Sequence, residues 1–98
     1  MTKLALFARF EAQPGKEAAV AQFLEQGLAM ANDEAGTKMW FALQLSDRTF
    51  GVFDTFDTEE ARQAHLNGPI AQALLANTPT LFTGAPSIEP IRVLGLKQ

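Results

Sequence analysis

Residues 3–24, KLALFARFEAQPGKEAAVAQFL, change their apolar period once, and that change decides the fold. Up to Glu11 the pattern alternates. Leu4, Leu6, Ala8 and Phe10 share one side of an extended chain, and Ala5, Phe7 and Arg9 share the other. Pro14 and Gly15 interrupt the strand. Beyond them, residues 16–36 place Val20, Phe23, Leu24, Gly27, Leu28 and Ala31 at the i, i+3, i+4, i+7 spacing of an amphipathic helix. Gly27 inside that stripe costs about 1 kcal/mol relative to Ala. It marks either close packing on the sheet beneath or space left for a ligand. Gly36 is the expected helix stop.

The same reading extends along the chain. TKMWFALQLSDRTFGVFDTF, residues 37–56, gives two alternating strands joined by a turn at Ser46, Asp47 and Arg48. DTEEARQAHL, residues 57–66, opens a second helix, with Asp57 and Glu60 at capping-box spacing. Gly68-Pro69 closes it and starts a short helix over IAQALLAN, residues 70–77. NTPTLFTGAP, residues 77–86, has loop composition. SIEPIRVLGL, residues 87–96, gives a last strand, where Pro90 favours an edge position. The order β-α-β-β-α-(α)-β is the ferredoxin-like α+β arrangement, a four-stranded antiparallel sheet with helices on one face. One domain spanning residues 1–98 is expected.

Composition excludes several function classes. The chain carries eight Lys and Arg against eleven Asp and Glu, a net charge of −3, and its cations are scattered, so nucleic acid is not the expected partner. Cysteine is absent, which removes thiol nucleophiles, disulfides and Cys-based metal sites. A single histidine cannot supply a two-histidine metal triad, so no metal is expected. Neither a P-loop nor G-x-G-x-x-G occurs. The apolar run at the start is short and broken by Arg9 and Glu11, so the expectation is a cytoplasmic protein with no membrane partner.

Helices cover only one face of such a sheet, yet both faces carry apolar residues. The uncovered one would present Phe7 together with Trp40 or Phe41 and Phe53 or Phe50, according to which parity points outward. A patch of that kind implies a homodimer formed through the sheet face.

Chemistry centres on His65, the only histidine. Its imidazole titrates near working pH and suits a base or hydrogen-bonding group toward an acidic phenol or enol. The other reading is a helix-boundary histidine bonded to a neighbour. Trp40 either stacks on a planar ligand or anchors the dimer. Arg9 either binds an anionic substrate or pairs with Glu11, Asp54 or Glu89. Capping explains Asp57, Glu59 and Glu60 without catalysis.

FARFEAQPGKEAAVAQFL (7–24), GVFDTFDTEEA (51–61) and EARQAHLNGPIAQAL (60–74) follow one another in the order of a known family. With them, the chain resembles the antibiotic biosynthesis monooxygenase family over nearly its whole length. The resemblance implies ferredoxin-like protomers paired into a dimeric α/β barrel. It also implies a cofactor-independent monooxygenase acting on a quinol or polyphenolic, polycyclic aromatic molecule. In that reading His65 is catalytic, while Trp40, Phe41, Phe53, Phe23 and Arg9 bind substrate. Haem-degrading members place an axial histidine where this chain has Leu75 and a pocket asparagine where it has Ala8, so haem is not expected. With no Tyr, the chain cannot reproduce the Trp, Asn, Tyr and Arg set of polyketide-oxidising members. The alternative is a non-catalytic dimeric barrel that binds a small apolar molecule.

Overall fold

The structure is a computed structural model and describes residues 2–98. Its elements run β1 (Leu4–Glu11), α1 (Glu17–Asn32), β2 (Thr37–Gln44), β3 (Thr49–Phe56), α2 (Glu59–Leu66), α3 (Pro69–Leu81) and β4 (Ser87–Arg92). The strands form one antiparallel sheet in the order β2-β3-β1-β4, with the helices on one face. This is the expected ferredoxin-like arrangement. Pro90 lies on the edge strand β4, where its missing N–H leaves no central ladder bond unmade.

Register settles which parity meets the helices. Leu6 lies opposite Asp54, Ala8 opposite Val52 and Phe10 opposite Phe50, while Trp40 also lies opposite Asp54. This set packs under the helices, with Phe10, Phe50 and Val52 joining Val20, Leu24, Leu81 and Phe82 in the buried core. The Phe10 and Phe82 rings lie 4.9 Å apart, and Phe23 meets Phe82 edge-on at 6.4 Å. The opposite parity turns Phe7, Arg9, Phe41 and Phe53 to the other face.

Three local expectations are corrected. α1 ends at Asn32, four residues before Gly36, because the N–H groups of Asp33 and Glu34 turn back to the carbonyls of Met30 and Ala31 and tighten the last turn. Gly36 serves packing instead: a Cβ there would sit 2.9 Å from the Ala61 Cβ on α2. The cap of α2 is Thr58, whose hydroxyl accepts from the Ala61 N–H at 3.1 Å, whereas Asp57 lies 3.9 Å from the Lys38 ammonium.

The third correction concerns α3, which continues to Leu81 through a segment that reads as loop. Pro79 withholds an N–H from the helix ladder. Around it, the Asn77 side-chain amide donates to the Ala73 carbonyl at 2.8 Å, and the Thr78 hydroxyl donates to the Leu74 carbonyl at 2.9 Å. Gln13 reaches across from the β1–α1 loop to the Pro79 carbonyl at 2.8 Å. Burial of Leu81 and Phe82 in the core favours continuing the helix that far. Among the described residues no helix is long and apolar enough to cross a membrane.

Candidate functional site

Three elements bring three ionisable side chains together beneath α2. His65 comes from the last turn of α2, Asp54 from the helix-facing side of β3, and Glu34 from the loop between α1 and β2. His65 Nδ1 lies 2.6 Å from Glu34 Oε1, and its Nε2 lies 2.8 Å from Asp54 Oδ2. The Thr37 hydroxyl donates to the same Glu34 oxygen at 2.8 Å, and the Phe56 ring flanks the imidazole at 5.3 Å between centroids. The helix is held over the sheet by Arg62, which donates to the carbonyls of Ala5 and Ile91 and pairs with Glu59 at 2.6 Å.

His65 is only 8% exposed and Asp54 only 1%. Burial by itself pulls the imidazole pKa down, but the short polar contacts to Asp54 and Glu34 and their negative charge outweigh it. The result is raised from 6.5 to about 9. Its place in the last turn of α2 favours the cation further. His65 is therefore an imidazolium at neutral pH. An imidazolium with each N–H turned to a carboxylate has no lone pair with which to take a proton or bind a metal.

One wall of this cluster opens on an apolar cavity of about 340 Å³ between the sheet and α1, α2 and α3. Phe10, Phe23, Leu24, Val52 and Leu74 supply much of its lining, and Trp40, Asp54 and His65 supply its polar edge. Gly27 explains how the indole fits: a Cβ on it would meet the Trp40 ring at 3.3 Å. Packing and space for a ligand thus meet at the same glycine. One buried polar atom at this edge, the indole Nε1 of Trp40, has no hydrogen-bond partner among the described residues. Oδ2 of Asp54 lies 2.8 Å from the His65 imidazolium and meets no other protein donor among them.

The sequence-predicted site residues divide into two groups. His65, Trp40 and Phe23 all line this cavity. Phe41, Phe53 and Arg9 lie on the opposite face of the sheet, where Phe41 and Phe53 pair at 6.3 Å and the Arg9 guanidinium lies over the Phe7 ring at 5.9 Å. The expected pairing of Arg9 with Asp54 is blocked by the sheet itself, since the two residues occupy opposite faces. Leu75, which the family resemblance matches to a haem ligand, is 63% exposed and outside the cavity lining, whereas Ala8 is part of it. Glu34 is the functional residue that sequence reasoning missed. The sequence presents Asp54 as one candidate partner of Arg9, although a carboxylate at the same parity as Phe50, Val52 and Phe56 is a signal of a buried partner.

The chain is 57% identical to a Nitrosomonas europaea protein of unknown function, over 100% of this chain and 95% of that one, with a TM-score of 0.97. This chain belongs to the same family. A Caulobacter crescentus protein provisionally named antibiotic biosynthesis monooxygenase superposes with a TM-score of 0.80 at 18% identity, covering 96% of this chain and 92% of its own. A second Nitrosomonas europaea protein with the same provisional name gives 0.81 at 13% identity, covering 94% and 90%. The fold is thus that of the antibiotic biosynthesis monooxygenases. No family model matches the chain, and no curated protein does.

Proposed function

We propose that this protein is a cofactor-independent oxygenase that takes a small hydroxylated aromatic molecule, of quinol or polyphenol type, into the cavity between its sheet and helices. The observation that carries the reading is an apolar cavity whose edge bears a buried carboxylate backed by an imidazolium. Apolar walls suit both a planar substrate and dioxygen. The base in this reading is Asp54, with His65 holding it in place.

The chemistry balances without a further reagent. Asp54 takes the proton of an enol or phenol hydroxyl, and the electron pair stays on the substrate as a delocalised anion. The anion's ring C–H carbon bonds to dioxygen, and the resulting peroxide takes back the proton held by Asp54. That carbon then loses its hydrogen as a proton while the O–O bond breaks and water leaves. Net, one phenol hydroxyl, one ring C–H and O₂ become a quinone and water.

Oxygen uptake by the purified protein, with a panel of quinols and polyphenols and no added metal or flavin, tests the reading. Uptake is expected with at least one of them, and Asp54→Asn should reduce it roughly hundredfold. Uptake that survives this substitution would remove Asp54 from the chemistry. The second reading, a binding protein without turnover, draws on the closed state of His65 and on the absence of Tyr. Saturable binding of the panel with no uptake would favour it.

The opposite sheet face fits a second copy of the chain in this proposal. It carries Phe7, Phe41 and Phe53, with Phe41 47% exposed, and apolar surface of this kind is usually covered. Sedimentation at micromolar concentration should give a dimer. Phe41→Asp, which places a charge in the patch, should weaken association roughly tenfold or more. A monomer in the unaltered protein would end the proposal.

A further inference from the structure

The polar edge of the cavity carries information about what it admits. Trp40 and Asp54 are direct neighbours across β2 and β3, on the face that lines the cavity. Side chains in such pairs start about 5 Å apart. Trp40 presents an indole N–H with no hydrogen-bond partner among the described residues, and Asp54, ion-paired with His65 through Oδ2, keeps carboxylate lone pairs that can still accept. A buried donor left unpaired is costly, and a group that accepts from it while donating to Asp54 would relieve that cost. A hydroxyl does this: its oxygen accepts while its hydrogen donates. A carboxylate ligand can only accept, and an unsubstituted arene can do neither.

Charge points the same way. The imidazolium of His65 lies between the two carboxylates of Asp54 and Glu34, so the cluster carries one net negative charge. Among the residues that line the cavity there is no Lys or Arg to offset it. An anionic ligand would meet this charge in surroundings of low dielectric, where like charges repel strongly.

We propose that Trp40 and Asp54 together hold one hydroxyl of a neutral aromatic ligand, and that the net negative charge of the Asp54–His65–Glu34 cluster excludes anionic analogues. The inference rests on the cavity being the ligand site and specifies which molecules enter it. Trp40 donates to the ligand oxygen and Asp54 accepts its hydrogen. His65 and Glu34 act as positioning residues.

Three probes of one shape separate the terms: 2-naphthol, 2-naphthoate and naphthalene, each titrated by calorimetry near neutral pH. Trp40 is the only Trp in the chain, so a single indole N–H resonance reports whether the probe reaches it. The expected result is 2-naphthol binding roughly tenfold or more tightly than either of the other two, with a shift of that resonance. Trp40→Phe should bring 2-naphthol close to naphthalene. Asp54→Asn should narrow the gap between 2-naphthol and 2-naphthoate. Equal affinity of 2-naphthol and 2-naphthoate in the unaltered protein would overturn the inference, whether or not the variants fold. Naphthalene binding as tightly as 2-naphthol would also overturn it and leave the cavity standing as an apolar site. Failure of all three to bind would remove the cavity reading as well.

Discussion

Replacing His65 with Ala should lower the stability of the folded chain by about 3–5 kcal/mol, measured by urea unfolding at neutral pH. The variant leaves the Asp54 and Glu34 carboxylates facing each other across a gap, with no cation between them. Asp54 is almost fully buried and cannot recover its hydration there. Loss of the imidazole face against Phe56 adds a smaller packing term. Since small domains are stable by only about 5–15 kcal/mol, much of the margin would go. A companion variant separates charge from packing. His65→Leu combined with Asp54→Val and Glu34→Gln removes the whole cluster, and it should be considerably more stable than His65→Ala alone. If the combined variant is the less stable of the two, the cluster is not the electrostatic unit described. Activity measured on His65→Ala alone would therefore not identify a catalytic group, because the substitution disturbs the site that holds Asp54.

The second large effect is on pH dependence. The folded-state pKa of His65 is raised to about 9, against 6.5 for an unperturbed histidine. The folded state therefore binds this proton more tightly than the unfolded state. Its contribution to stability is fully present below pH 6.5 and is lost as pH rises through 9. A difference of that size corresponds to about 3 kcal/mol for a group this well buried. Unfolding free energies measured from pH 6 to pH 10 should fall by that order, and His65→Ala should flatten the dependence over the same window. Stability that rises between pH 6.5 and 9 in the unaltered protein would have the wrong sign for a buried imidazolium.

Much of the fold was legible because short-range pattern and long-range packing agree. The period change at Pro14-Gly15, the paired alternating strands at 37–56 and the edge proline at 90 each point to the same sheet. The parity of the strands was not legible, because Phe and Leu occupy both faces and hydrophobicity alone cannot rank them. Register resolves this by setting Leu6, Trp40 and Asp54 on the helix side and Phe7, Phe41 and Phe53 on the other.

Three of the five binding residues expected around His65 fall on the far face for that reason. Pro79 is a strong local break and, read from sequence, predicts a shorter α3. The packing of Leu81 and Phe82, a tertiary effect, overrides it. Glu34 carried no signal at all. It lies in a loop 31 residues before the histidine it bonds, and nothing in its neighbours distinguishes it from Asp33. The chemistry of His65 depends on exactly such distant partners, so a lone histidine on a helix could be read either as a base or as a bonded boundary residue until both carboxylates were located.

His65 is a buried cation clasping two carboxylates and not a free base. Because the chain contains one histidine, its imidazole signals in a proton-nitrogen correlation spectrum need no assignment by mutation. A titration of those signals is the most direct test. Both ring nitrogens should remain protonated through neutral pH, with a midpoint near 9. A midpoint at or below the ordinary 6.5, with one nitrogen bare at neutral pH, would contradict it and return the role of base to His65.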